Sequence, residues 1–312
     1  MIQLQKFHIN FVKRMMFFIS LSTLIVISGL VIMSTRGFNY GTDFKGGIKL
    51  TYRFESDGKP ISEGDLRHLI DPLKVGDFSV QKIGAPEDSR FTIKVEKPRE
   101  EEKTHAMAQE ISAHFKSGLK AKNITLEREE TVGPKAGHDL RKKALLAILV
   151  SSLLMLIYIG YRFDFSFAPG AIIALFHDLI ITLCAFSISG REISLTVVAA
   201  LLTIKGYSVN DTIVIFDRIR ENIPKMKKSN LPEIVNASIN ETLSRTIITN
   251  LTVFIVVVLI FLFGEGEFQN FGFAMIVGAI SGTYSTIFVA SPIYIFLKEY
   301  GPRFEALLKR NP

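Results

Sequence analysis

A chain of 312 residues that is 48% hydrophobic and 21% charged holds more apolar side chain than a soluble domain of its size needs. A net charge of +7 would point to nucleic acid if it formed one soluble patch. The basic residues are instead split between short connections and one polar insert, which excludes that class. Cys184 is alone inside an apolar run, so no disulfide framework or thiolate metal site is available; the six histidines show no tight ligand spacing, and nothing points to a bound metal or redox cofactor.

In chain order, Phe11–Met33 is apolar beyond Lys13 and Arg14 and long enough to cross the hydrocarbon. Its core exceeds a signal-peptide h-region and MSTRGF offers no small-residue cleavage site, so residues 1–34 are expected to be a cytosolic N-terminus and an uncleaved first span. Residues 35–140 change to a charged, soluble composition. Ile48, Leu50, Tyr52 and Phe54 alternate with Lys49, Thr51, Arg53 and Glu55, the pattern of a half-buried strand. Ser62 is placed to cap a helix through Leu69, with Ile61 as its hydrophobic staple. Phe78–Ile83 and Phe91–Val95 read as strands joined by the turn GAPEDS. Arg99–Leu119 reads as a helix with Met107, Ile111 and Phe115 on one face, and Lys122–Thr131 as a last strand. The order β-α-β-β-α-β predicts an α+β ferredoxin-like domain inserted between the first and second of six spans. It holds no nucleophile, base and orienter, and His105 and His114 read as surface or half-buried helix residues. Gly41, Gly46 and Gly47 surround Asp43 and Lys45 in neither a Walker nor a dinucleotide spacing, and are expected to shape the backbone where it leaves the membrane.

Five further apolar segments follow, at 144–161, 165–189, 193–216, 243–263 and 271–297. The connection 217–242 is long and charged. Pro224 and Pro232 break it, and Leu231, Ile234, Val235 and Ile239 predict a short amphipathic helix along the membrane surface. Lysine and arginine gather on the connections that share a side with the N-terminus, while Arg191 stands alone in the short connections opposite. The positive-inside rule therefore predicts both termini in the cytosol, residues 35–140 outside, 141–300 as spans two to six and 301–312 as a cytosolic tail.

Ionisable residues at membrane depth are costly and mark an ion path or a buried pair. Lys205, Asn210 and Asp211 lie in the fourth span, Asp178 beside His177 in the third, and Arg245 at the start of the fifth. Asp211 and Arg245 are the candidate pair, as a protonation site or as a static salt bridge. His177 and Asp178, being adjacent, are expected to face different directions. Lys205 lies about 9 Å along and about 120° around the helix from Asp211, which argues against a direct pair. It is left to snorkel, to pair with another helix or to alter an ion path. Gly278 and Gly282 predict close helix packing in the last span.

Five stretches in series carry a resemblance: GTDFKGG at 41–47, TVGP at 131–134, LFHDLIIT at 175–182, GYSVNDTIVIFDRIREN at 206–222 and LSRTIITN at 243–250. The chain resembles the SecF family of bacterial protein-export subunits, within the resistance-nodulation-division superfamily. The resemblance implies a non-enzymatic accessory subunit of the Sec translocase in the bacterial cytoplasmic membrane, driven by an ion-motive force, with H+ or Na+ as coupling ion and no other cofactor. It implies SecD, the SecYEG channel, exported preprotein and membrane lipid as partners, extending to YajC and YidC. Asp211 of NDT and Arg245 of SRT correspond to the residues of the ion-driven cycle, with His177 and Asp178 as the family's HD pair. Lys205 departs from the pattern, where an apolar residue is usual, as does Lys45, where Thr is usual. A lipid or drug exporter half and a non-coupling scaffold are the alternatives. An intramembrane enzyme would need a nucleophile–base pair or a metal set that the sequence lacks.

Overall fold

The computed structural model describes residues 8–55, 61–84, 89–96, 101–119, 123–163 and 166–308. The chain enters helix α1 (Val12–Arg36), passes through a one-turn helix α2 (Thr42–Lys45) and opens into a small sheet. Its order is β1 (Gly47–Glu55), α3 (Glu63–Ile70), β2 (Phe78–Ile83), β3 (Arg90–Glu96), α4 (Glu101–Gly118) and β4 (Asn123–Val132). Ser62 and Asp65 form a reciprocal capping box that starts α3. The strands are antiparallel in the order β2-β3-β1-β4. Ile48, Leu50, Tyr52 and Phe54 of β1 and Phe91, Ile93 and Val95 of β3 are buried against Leu66 and Ile70 of α3 and Ile111 and Phe115 of α4. The alternation read from β1 is thus the division between the helix-covered face and a polar one. The GAPEDS turn falls largely outside the described residues, as do Lys6, Lys309, Arg310 and the side chain of His105.

Among the described residues six helices are long and apolar enough to cross a membrane: α1, α5 (Pro134–Arg162), α6 (Ala168–Ser189), α7 (Leu195–Lys225), α8 (Leu231–Phe263) and a compound sixth. The sixth consists of α9 (Glu267–Ser285), a π-helical turn over Thr286–Ala290 and α10 (Ser291–Leu308). Pro292 follows the wide turn, and its missing N–H and bulky ring favour such a departure from regular α-helix. The chain is therefore a polytopic helical membrane protein. Helices α6, α7 and the sixth form its centre, while α1, α5 and α8 expose apolar flanks.

One expectation is overturned here. The connection after the fourth span is not a surface helix. Residues 231–239 are the first turns of α8, which runs unbroken for 33 residues, and only 226–230 separate it from α7. Asn230 and Glu233 cap α8 reciprocally, and Pro232 stands in its first turn, where no intrahelical N–H bond is lost. Val235 and Ile239, read as lipid-facing, are buried against α7 in the same cluster as Phe216 and Ile219. The amphipathic pattern recorded a helix–helix interface. Arg218 bonds to Glu241 at 2.5 Å and Asn222 to Ser238 at 3.1 Å across it.

Phe115 is fully buried, with its ring 5.3 Å from Tyr52 and 5.7 Å from Phe54. Phe115→Ala is expected to destabilise the sheet domain by about 3–5 kcal/mol, the usual cost of deleting a core aromatic. Urea unfolding of a fragment spanning residues 38–133 measures it, with Ser117→Ala as a near-neutral control.

Candidate functional site

Helix α7 turns polar side chains toward its neighbouring spans, and the spacing sorts them. Tyr207 and Asp211, four residues apart, face α8; Ser208 and Thr212, also four apart, face α6 and the sixth span. Asp211 is 4% exposed, and its Oδ2 accepts from Asn250 Nδ2 at 2.7 Å. The Asn250 oxygen accepts in turn from the Tyr207 hydroxyl. A carboxylate, an amide and a phenol are thereby linked between two helices inside an apolar bundle. Among the described residues, no Lys, Arg or His nitrogen lies within 4.0 Å of an Asp211 carboxylate oxygen.

The structure does not bring Arg245 onto Asp211. On α8, Thr242, Thr246 and Asn250 turn inward at four-residue intervals, which puts Arg245 on the exposed side. Asn210 is exposed on α7 for the same reason, being one residue off the inward stripe.

Asp178 is the second buried carboxylate, at 1% exposure. Ser281 donates to Oδ1 at 2.6 Å, and Ser208 and Ser285 donate to Oδ2 at 2.6 and 2.9 Å. His177 Nδ1 lies 3.1 Å from Oδ1, and its ring stacks near Tyr284. The expectation that His177 and Asp178 face apart is therefore overturned. Nδ1, the ring nitrogen nearest the backbone, reaches the short carboxylate of the next residue. A Cβ added at Gly282 would stand 3.1 Å from that of Ser208, and one at Gly278 would stand 2.4 Å from the Ile204 side chain. These two glycines let the sixth span sit close enough for its serines to reach Asp178.

Lys205 pairs with another helix. It is 2% exposed, and its ammonium donates to Ile148 O at 2.7 Å, Ser151 Oγ at 2.7 Å and Ser152 Oγ at 2.6 Å, all on α5. Three acceptors match the three N–H bonds of an ammonium. The arrangement solvates the charge without a carboxylate.

The sequence reading omitted Tyr207, Ser208 and Asn250, although all three stand inside stretches it singled out, GYSVNDT and LSRTIITN. It also omitted Ser281 and Ser285, whose four-residue spacing in an apolar run signals one polar helix face. Ser151 and Ser152 carry no comparable periodic signal. Among the described residues no group of three or more His, Cys, Asp or Glu is placed to hold a metal ion.

Comparison with known proteins gives a consistent result. Residues 112–300 match the family described as "Protein export membrane protein SecD/SecF, C-terminal", and residues 31–57 match the "SecD/SecF GG Motif". The chain is 43% identical to the protein translocase subunit SecF of Calditerrivibrio nitroreducens over 93% of its own length and 94% of that protein's. It is 40% identical to the SecF of Vibrio alginolyticus over 88% of its own length and 85% of that protein's. A crystal structure of SecDF, a translocon-associated membrane protein from Thermus, superposes with a TM-score of 0.77 at 35% identity, covering 93% of this chain and 38% of that one. A SecDF structure in a super-membrane-facing form gives a TM-score of 0.73 at 34% identity, covering 98% and 41%. The chain thus spans about two fifths of the length of those SecDF chains.

Ser285→Ala removes one of the two hydroxyl donors at Asp178 Oδ2 and is expected to cost about 1–3 kcal/mol, because the acceptor stays buried. Thermal unfolding of the purified protein in mild detergent should show a lower midpoint for Ser285→Ala. Ser189→Ala, which removes an exposed hydroxyl bonded only to its own helix backbone, should leave the midpoint in place.

Proposed function

The chain belongs to the SecF family of Sec translocase subunits, a family of accessory membrane proteins and not of enzymes, and from that premise we propose that it couples an ion-motive force to protein export. Asp211 is the coupling group in this reading, taking up and releasing H+ or Na+. Arg245 is its electrostatic partner during the cycle, and Asp178 with His177 forms an auxiliary polar centre. The observation that carries the reading is a buried Asp211 carboxylate whose hydrogen-bond partner is an amide and not a cation. A purely structural salt bridge needs its counter-charge in contact, whereas a group that must gain and lose a cation is better served by a neutral, polarisable neighbour.

The topology follows from the same reading. Both termini are cytosolic, and residues 35–140 form an extracytoplasmic domain of ferredoxin-like topology, which is supported by the β-α-β-β-α-β order and the β2-β3-β1-β4 sheet. Residues 141–300 carry spans two to six, and 301–312 follow as a cytosolic tail. A SecD partner covers the bundle flank where Asn210 and Arg245 are exposed, since polar side chains facing lipid are unfavourable. SecYEG and the exported preprotein are met through that assembly, with YajC, YidC and lipid around it.

Asp211→Asn keeps the size and hydrogen bonding of the side chain but removes its change of charge. The variant is expected to assemble with its partner and to lose the gradient-dependent part of export stimulation. Export from membrane vesicles with and without an imposed ion gradient measures this. Full gradient dependence in Asp211→Asn would place coupling elsewhere.

A further inference from the structure

The first N–H groups of a helix have no intrahelical partner and need a cap. Helix α7 follows Ser194, whose φ of −111° and ψ of 178° are ordinary N-cap angles, and serine is among the best N-cap residues. Ser194 nevertheless makes no capping bond. Its hydroxyl oxygen is buried without a hydrogen-bond partner, one of two such side-chain atoms among the described residues. The N–H just ahead of those a serine cap would reach, that of Leu195, is held by Asp43 Oδ2, at 2.8 Å and 152 residues upstream.

Asp43 sits in α2, at the root of the sheet, and that root is bound to the same helix end. Gly41 N–H donates to Ile193 O at 2.9 Å, and Ile193 N–H donates to Asn39 O at 2.8 Å. The polar face of the sheet completes the joint. Lys49 of β1 and Lys94 of β3 stand directly opposite each other in register, an arrangement of like charges that is unfavourable alone. Glu267, at the start of α9, bonds to Lys49 at 2.6 Å and accepts from Thr196 in the first turn of α7 at 2.7 Å. Glu192, two residues before Ser194, pairs with Lys94. Burial raises the pKa of Asp43, with Glu267 and Glu192 adding to the shift, while the Leu195 N–H and, after it, the Lys49 charge favour the charged form.

We propose that Asp43 is a positioning residue for the Asp211 site: the docked sheet holds the first N–H of the fourth span from a distance, and Ser194 is a reserve cap that holds the helix end through the next N–H groups when the sheet draws back. The proposal rests on the coupling role given to Asp211 above. From Leu195 to Asp211 the chain is continuous helix, a rod of about 24 Å at 1.5 Å per residue. Whatever holds its first N–H sets the height and tilt of the carboxylate. The unsatisfied Ser194 hydroxyl has an explanation in this exchange. It costs free energy in the docked state and is relieved in the undocked one, where it bonds the N–H groups two or three residues on.

The test uses the full-length protein in detergent and reads hydrogen–deuterium exchange over the first turn of α7. Ser194→Ala alone should leave exchange unchanged. Asp43→Ala alone should raise it only slightly, because Ser194 takes over. The double variant should exchange about five- to tenfold faster than wild type, the equivalent of a lost cap. Asp43→Asn, which retains an acceptor oxygen, should restore wild-type exchange. A double variant no faster than Asp43→Ala, or a Ser194→Ala as fast as the double, would overturn the cap exchange. In vesicles, Asp43→Ala should lose gradient-driven stimulation and Asp43→Asn should recover it; full stimulation in Asp43→Ala would overturn the positioning role. Asp211→Asn run in parallel separates the two ideas. If that variant keeps its stimulation, the coupling reading fails, while the exchange data still decide the caps.

Discussion

Charge buried in an apolar bundle must be solvated by the protein itself, and the central helices are arranged around that constraint. An isolated ion in a low-dielectric interior costs several kcal/mol even after relaxation. Here each buried charge is met by neutral dipoles. Asp178 receives three serine hydroxyls, Asp211 an asparagine amide, and Lys205 two hydroxyls and a carbonyl. This solution differs from ion pairing in its consequence. A salt bridge fixes both members, because moving either strands the other. Hydroxyls and amides can reorient, so a site built from them tolerates a change of charge with little movement of the backbone.

The same constraint explains the packing. Hydroxyls are short, and the serines of the sixth span reach Asp178 only because Gly278 and Gly282 let the helix approach α7. Just beyond Ser285 the helix widens into its π turn, where Thr286 meets Thr212 of α7 at 3.0 Å. Helix α7 is the shared member throughout, touching α5 through Lys205, α6 through Ser208, α8 through Asp211 and the sixth span through Thr212. A displacement of α7 along its axis therefore disturbs every polar centre in the bundle together.

How much of this was legible in the sequence depended on the kind of signal. The alternation in β1 and the periodicity of α4 located the sheet and its core, because each buried face leaves a regular stripe. The six spans were legible from length and composition. The start of α8 was misread because an amphipathic stripe records that one face is buried and not what buries it; Val235 and Ile239 pack on protein, not lipid. In the site, the charged residues stood out by their cost, and their true neighbours did not. Asn250 and Ser208 are unremarkable residue types whose importance lies in facing a carboxylate across a helix interface. Arg245 drew attention as the nearest opposite charge, yet its position on α8, off the stripe of Thr242, Thr246 and Asn250, turns it outward. Sequence separation along one helix is readable; the rotational phase between two helices is set by packing.

The sheet domain extends that logic beyond the membrane. A small domain on two connections is ordinarily free to move against its anchor, since inter-domain contacts of modest area permit relative motion. This one is fixed at its polar face through Lys49 and Lys94, which stand opposite each other; Glu130 of β4 meets Lys49 from within the sheet at 3.5 Å, and Glu267 at the start of α9 and Glu192 just ahead of α7 complete the pairing. Undocked, Lys94 would lose Glu192 and the first N–H of α7 would lose Asp43. Each side supplies what the other lacks. Because the contacts are charged and partly exposed, their strength is finite and falls with screening, so the joint can open without unfolding either part. A contact of that kind between a sheet and the end of the helix bearing Asp211 has the physical character needed to pass a small change of charge in one layer to a movement in the other.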